Sequence, residues 1–272
     1  MKAVLLTLAA VAFAAILAGS ALVGGLYDIS ATDQHLRPTY WAIDTASRRS
    51  VKVRARSITP PNLDEGARVE RGLALFRDHC VQCHGAPGVA PAAFAFGMTP
   101  APANLVDTGR TWSAAEIYWT VRNGFKMTGM PAWRYRMADE QLWDVVAFVA
   151  TALPRLSPVE YRKRADAAPA VALREDAPTA ADAKRGKDAI QQFGCPTCHA
   201  IPGIVGANKP VGPPLEAMAK RAVIAGIAPN TRENLEQFLL DPHSVSPESA
   251  MPKLGLRVQD ARDIVAYLST LR

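Results

Sequence analysis

The hydrophobic pattern of the chain begins with one long apolar run. No charged residue interrupts Ala3 to Leu26. As a helix that rises about 1.5 Å per residue, this run would be about 36 Å long, enough to cross a hydrocarbon core of about 30 Å. A signal peptide is the alternative, because Ala-Gly-Ser-Ala at 18–21 could be a small-residue cleavage site. The length of the run favours an uncleaved transmembrane anchor over residues 1–26.

A basic segment, residues 27–64, separates this run from the rest of the chain. Lys2, on the short N-terminal side, favours an orientation in which everything after the anchor lies across the membrane. A helix could begin at Pro38 and carry a basic face. That face consists of Arg48, Arg49, Lys52, Arg54 and Arg56. We interpret it as solvated; contact with lipid headgroups or an acidic partner subunit is the alternative.

The remaining sequence contains the same pattern twice, over residues 65–155 and 181–272. Each unit opens with an Arg-Gly pair, at 71–72 and 185–186, and ends in apolar residues at the i, i+3, i+4, i+7 spacing of a helix. These apolar residues are Leu142, Val145, Val146 and Val149, and then Ala261, Ile264, Val265 and Leu268. Residues 156–180, rich in Ala, Pro and charge, are interpreted as a linker. The pattern predicts an all-α chain with two tandem units.

Composition supports packed units and argues against one class of ligand. Hydrophobic residues make up 49% and charged residues 21%, so packed cores are expected rather than disorder. The net charge is +6, but the basic residues are spread thinly and are not interleaved with aromatic residues. Binding to nucleic acid is therefore not expected.

All four cysteines lie in two Cys-x-x-Cys-His motifs. The motifs comprise Cys80, Cys83 and His84 in the first unit and Cys195, Cys198 and His199 in the second. This is the attachment signature of c-type haem: two thiols add to the vinyl groups of one porphyrin, and the adjacent histidine ligates the iron. A redox cysteine pair would need no histidine, and a single zinc site would need both pairs to meet. We predict two covalently bound haem c groups.

Methionine is the expected sixth ligand of each iron. Met-Pro occurs at only two places, Met130-Pro131 and Met251-Pro252, each between a haem motif and a terminal helix. A methionine more often packs in a hydrophobic core than binds a metal. The repetition of the Met-Pro pair nevertheless favours ligation by Met130 and Met251. Met127 is the main alternative for the first iron. His243 is the alternative for the second.

Each proximal histidine should donate its second ring N–H to a backbone carbonyl. Proline-rich loops follow both motifs, at 100–105 and 212–215. The expected acceptors are the carbonyl groups of Pro102 for His84 and Pro213 for His199.

Both units resemble class I cytochrome c domains. The resemblance rests on the haem motifs, the Met-Pro pairs, the Gly-Pro-x-Leu sequence at 212–215, and four further residues. These are the helix glycines Gly72 and Gly186 and the terminal-helix aromatics Phe148 and Tyr267. The resemblance implies that the first and last helices of each unit cross at a contact between the glycine and the aromatic residue.

The second unit is also similar to the cytochrome c domain fused to subunit II of some haem-copper oxidases. The similar stretches are Ile224–Thr231 and Asn234–Pro242. The first unit departs from the family pattern, because it lacks Gly-Pro-x-Leu and carries two closely spaced methionines.

The resemblance implies one-electron transfer rather than catalysis by the chain alone. His/Met ligation fills all six iron positions and raises the potential, which favours electron transfer. We expect a cytochrome anchored in the bacterial inner membrane with its haem domains in the periplasm. It would transfer electrons in a respiratory chain, from a quinol-oxidising complex to a terminal haem-copper oxidase or as part of that oxidase. An electron-accepting subunit of a periplasmic dehydrogenase is the alternative. A dihaem peroxidase is disfavoured, because it needs an open iron position.

Overall fold

The computed structural model describes all 272 residues, and they form a mostly helical protein with one two-stranded sheet. The helices are α1 (Lys2–Val23), α2 (Arg37–Ala55), α3 (Gly66–His79), α4 (Val81–His84), α5 (Leu105–Thr111), α6 (Ala114–Asn123), α7 (Asp139–Ala147), α8 (Pro158–Ala167), α9 (Ala183–Gln192), α10 (Arg232–Leu240), α11 (Pro242–Val245) and α12 (Val258–Leu268). The antiparallel strands are β1 (Val223–Ile224) and β2 (Ala228–Pro229). The predicted all-α architecture, with an N-terminal apolar helix and two helical units, is confirmed.

Helix α1 contains the apolar run. Its mean hydropathy reaches 2.3 and none of it is buried inside the protein. By length and composition it could cross a membrane, although a signal sequence would have the same properties.

Helix α2 is attached to the first unit rather than free. Val51 and Ala55 are buried, and the helix packs against α6. The guanidinium groups of Arg48 and Arg54 each lie 6.0 Å from the ring centre of a tryptophan, Trp112 and Trp119 respectively. Two arginines of the basic face, Arg48 and Arg54, therefore lie over aromatic rings of the first unit. Their charge alone did not predict this contact.

Each unit is built on a close crossing of its first and last helices, α3 with α7 and α9 with α12. In the first unit, a Cβ atom on Gly72 would overlap the carbonyl of Asp144 and approach the Cβ of Phe148 within 2.9 Å. The predicted glycine–aromatic contact is confirmed there. In the second unit, the atoms nearest to Gly186 belong to the backbone of Asp263 and Ile264.

An arginine–aspartate pair closes both crossings in the same way. Arg71 donates to the two carboxylate oxygens of Asp144 at 2.9 and 3.0 Å. Arg185 donates to those of Asp263 at 2.8 and 2.9 Å. Both aspartates are almost completely buried, and these hydrogen bonds raise the pKa of each guanidinium group. Bidentate pairs of this kind fix the angle between two helices as well as adding charge-assisted hydrogen bonds.

The segment between the units is packed along the first one. Helix α8 buries Tyr161, and the chain after it, residues 168–180, forms a strap held by the buried side chain of Gln141. Gln141 donates to the carbonyl of Ala172 at 2.8 Å and accepts from the N–H of Arg174 at 2.7 Å. The far end of the strap reaches α12, where the N–H of Thr179 donates to Gln259 at 2.7 Å.

Candidate haem-binding sites

Both Cys-x-x-Cys-His motifs form a single helical turn at the end of the first helix of their unit. The first turn is α4, and the second is a 3₁₀ turn over Cys195–Thr197. In each turn the N–H groups of the second cysteine and of the histidine donate to the carbonyl of the first cysteine. The distances are 3.1 and 3.0 Å to Cys80, and 3.2 and 3.0 Å to Cys195. This turn presents both thiols and the imidazole of one motif together.

In each motif the thiol of the first cysteine is buried, and its pKa is raised. All four cysteines are free, and burial raises the pKa of the Cys80 thiol to about 12 and that of Cys195 to about 11. Reactive Cys-x-x-Cys pairs have lowered pKa values instead. No group of three or more His, Cys, Asp or Glu side chains is placed to hold a metal ion.

Each motif histidine is oriented by a hydrogen bond to a backbone carbonyl. Nδ1 of His199 donates to Pro213 at 2.7 Å, as predicted. Nδ1 of His84 donates to Ala103 at 2.7 Å, so the prediction of Pro102 was wrong by one residue. Asn104 caps α5 through the N–H groups of its first turn, and this cap fixes the loop so that the preceding carbonyl faces His84.

This hydrogen bond leaves Nε2 of each imidazole available for iron, which is the usual arrangement of a histidine ligand. Burial also lowers the pKa of His84, against a smaller opposing effect of the Ala103 carbonyl. A lowered pKa favours the neutral imidazole, the form that binds a metal.

Gly212 lies against the face of the His199 ring. A Cβ atom at this position would come within 2.5 Å of Cε1 and 2.8 Å of Nδ1 of His199. The N–H of Gly212 donates to the carbonyl of Cys198 at 2.8 Å. The loop is therefore tied to the motif itself, and the absence of a side chain at 212 makes room for the imidazole.

The two Met-Pro segments share a local turn that the sequence reasoning missed. The N–H of Met130 donates to Oγ1 of Thr128 at 3.1 Å, and the N–H of Met251 donates to Oγ of Ser249 at 3.2 Å. A hydroxyl two residues before each methionine is therefore part of the repeat. The sequence does contain this signal, as Thr/Ser-x-Met-Pro.

The shared turn favours Met130 over Met127 as a ligand. Met130 is half-buried in the turn equivalent to that of Met251, whereas the side chain of Met127 is 98% exposed and its φ is 57°. Nε2 of His243 is hydrogen-bonded to the carbonyl of Ser249 at 3.1 Å, beside the second Met-Pro segment. His243 is thus placed to support the loop that carries Met251. The assignment of Met130 and Met251 as ligands stays a prediction.

These residues fit a haem c group in each unit. Each site supplies two neighbouring thiols and an imidazole with a free Nε2, and a methionine lies in a loop between the haem motif and the terminal helix. In the second unit a cradle at Gly212 accommodates the imidazole.

Comparison with known proteins finds matches for both units. Residues 67–149 match the family model described as cytochrome c oxidase, cbb3-type, subunit III, and residues 183–272 match the model described as cytochrome c. The chain is 32% identical over 103 residues to cytochrome c-552 of Bradyrhizobium diazoefficiens, an alignment that spans 38% of this chain and 88% of that protein.

A second relative is cytochrome c oxidase subunit 2 of Alkalihalophilus pseudofirmus, 33% identical over 96 residues. This alignment spans 35% of the chain and only 27% of the length of that relative. No solved structure matches the chain.

The helical units, their haem motifs and these matches define a c-type cytochrome, a protein that transfers electrons. The chain belongs to this family and contains two cytochrome c domains, consistent with the predicted dihaem class I cytochrome. The first and second units are its first and second domains.

Proposed function

We propose that this protein is a membrane-anchored dihaem cytochrome of the periplasm that passes single electrons to a terminal haem-copper oxidase or acts as a subunit of one. The observation that carries the electron-transfer part is the duplication of one site geometry. Both domains have a proximal histidine bonded to a carbonyl through Nδ1, and a Met-Pro turn closed by a hydroxyl.

In this proposal the thiols of each motif hold one haem covalently and the motif histidine is its proximal ligand. The haems are attached through Cys80 and Cys83, with His84 as ligand, and through Cys195 and Cys198, with His199 as ligand. Bound haem supplies a one-electron iron couple. Met130 and Met251 would each supply a thioether ligand to the iron of their domain, which would leave neither site open for peroxide. This arrangement argues for outer-sphere transfer and against the dihaem peroxidase alternative.

The partner is proposed from the relatives. The first domain matches a family named for subunit III of a cbb3-type oxidase, and the second domain is similar to part of an oxidase subunit 2. Both names point to a terminal oxidase rather than to a dehydrogenase. The oxidase link can be tested by purifying the protein from native membranes. We expect oxidase subunits to accompany it, and a dehydrogenase found in their place would contradict this partner.

The anchor is proposed from the length and hydropathy of α1. After cell fractionation, the full chain should stay in membranes washed with alkaline carbonate, and its N-terminal peptide should begin before Gly19. A matched variant in which residues 1–26 are replaced by a cleavable signal peptide should be released into the periplasm with both haems attached. Release of the unaltered protein without its first residues would identify α1 as a signal peptide instead.

A further inference from the structure

The two domains meet through the segment that follows Met130. Ala132 and Tyr135 are 2% and 6% exposed, and both belong to the hydrophobic core of the second domain rather than the first. The chain therefore leaves the first Met-Pro turn and buries itself directly in the neighbouring domain. Cytochrome c domains with independent functions would not need to share a core in this way.

One hydrogen bond crosses this interface close to both sites. The N–H of Ala132 donates to Oε1 of Gln192 at 3.1 Å. Ala132 is two residues after Met130, and Gln192, the last residue of α9, is three residues before Cys195. Two short stretches of backbone and this one hydrogen bond therefore join Met130, the expected ligand of the first iron, to Cys195, an expected attachment point of the second haem.

Aromatic and charged contacts surround that hydrogen bond. The rings of Tyr135 and Phe193 meet edge to face, with centres 5.9 Å apart. The guanidinium group of Arg136 lies 6.0 Å from the ring centre of Phe193. Arg134 forms an ion pair with Asp188 of α9 at 3.6 Å. These contacts fix the Met130 loop against the corner between α9 and the second haem motif.

We propose that Gln192 is a positioning residue for electron transfer between the two haems of this chain. It holds the Met130 loop against the Cys195 corner, so that an electron crosses directly from one domain to the other. In this step one electron leaves the ferrous iron of one domain and reduces the ferric iron of the other; no bond forms or breaks and no proton moves. The inference rests on the proposed function, because it takes both haems and Met130 ligation from it.

The test compares substitutions at two adjacent glutamines in the full-length, haem-loaded protein. Gln192→Leu removes the acceptor at similar side-chain volume, and Gln191→Leu makes the same change at an exposed position. Gln192→Glu retains an oxygen acceptor. In half-reduced samples, exchange broadening of the shifted haem-methyl proton signals gives the transfer rate, and its independence of protein concentration identifies the intramolecular process.

Gln192→Leu should slow intramolecular transfer by about tenfold, the order expected when a buried N–H loses its acceptor and the docked arrangement is weakened. Gln191→Leu and Gln192→Glu should keep the unaltered rate. The midpoint potentials and the spectra of both haems should not change in Gln192→Leu or Gln191→Leu, which separates positioning from damage to a site. An unaltered rate in Gln192→Leu would overturn the proposal.

If Gln192→Leu does not accumulate as a dihaem protein, Tyr135→Leu loosens the same contact from the first domain, and an unaltered rate there would equally overturn it. The oxidase assignment is judged separately, by co-purification. If transfer slows in Gln192→Leu but no oxidase co-purifies, only the proposed partner is contradicted. If an oxidase co-purifies but the transfer rate is unaltered, only the proposed role of Gln192 is contradicted.

Discussion

Gly72 of α3 lies directly against the carbonyl group of Asp144 in α7, and no Cβ atom fits between the two helices. The side chain of the same aspartate binds Arg71, so one residue fixes the crossing through both its backbone and its carboxylate. Gly186 and Asp263 repeat this relationship in the second domain. The crossing determines where α3 ends and therefore where Cys80 begins the first haem motif.

Gly72→Ala should destabilise the first domain by about 1–3 kcal/mol, because the added methyl group forces α3 and α7 apart. Gly66→Ala is the matched control in the same helix, since nothing lies within 4 Å of its would-be Cβ. That control should be neutral or slightly stabilising, because alanine has the higher helix propensity. Denaturant unfolding followed by haem absorbance measures both. Equal stability of the two variants would show that the crossing tolerates a side chain.

The methionine ligands can be assigned by single substitutions. Met251→Ala and Met130→Ala should each remove the methionine-to-iron charge-transfer band of one haem and lower its midpoint potential, because thioether ligation raises the potential. Met127→Ala should leave both bands in place, since its side chain is 98% exposed. Absorption spectra of the oxidised protein and a redox titration provide the measurement. Loss of a band in Met127→Ala, with Met130→Ala unaffected, would move the first ligand to Met127.

The orientation of His199 should depend on the missing side chain at 212. Gly212→Ala would place a methyl group within 2.5 Å of the imidazole, so we expect the ring to tilt and the second haem to show a mixture of ligation states. Electron paramagnetic resonance of the oxidised protein detects such a mixture. Val211→Ala, at an exposed neighbouring position, should give the unaltered spectrum. An identical spectrum for Gly212→Ala would mean that the loop can move away from His199.

Features encoded by local spacing could be predicted from the sequence. The haem motifs, the repeated Arg-Gly pairs and the apolar stripes of the terminal helices each lie within a few consecutive residues, and the structure places them in equivalent helices. The acceptor for His199 was predictable for the same reason, because Gly212-Pro213 is a recognisable loop. The predicted acceptor for His84, Pro102, was wrong by one residue. The helix cap at Asn104 determines the path of this loop, and this cap has no counterpart in the second domain.

Contacts between distant segments could not be predicted in this way. The burial of Tyr135 in the other domain, the hydrogen bond from Ala132 to Gln192 and the docking of α2 on Trp112 join residues that are far apart in the chain. No periodic pattern in the sequence marks these contacts. A polar segment that buries a single residue has the same composition as a segment that is exposed along its whole length. The strap after α8 is a further example, since its Ala- and Pro-rich composition is that of a free linker.

Gln141 should control whether that strap stays attached to the first domain. Its side chain is fully buried and makes both of the hydrogen bonds that hold residues 172 and 174. Gln141→Ala should therefore lower the free energy of unfolding by about 1–3 kcal/mol, because it removes two hydrogen bonds that are each worth about 0.5–1.5 kcal/mol. It should also expose residues 168–180 to limited proteolysis, because local opening then requires less free energy than global unfolding. Gln237→Ala, an exposed glutamine of α10, provides the control and should change neither measurement. Unchanged protease resistance in Gln141→Ala would show that α8 and the Thr179–Gln259 contact hold the strap without it.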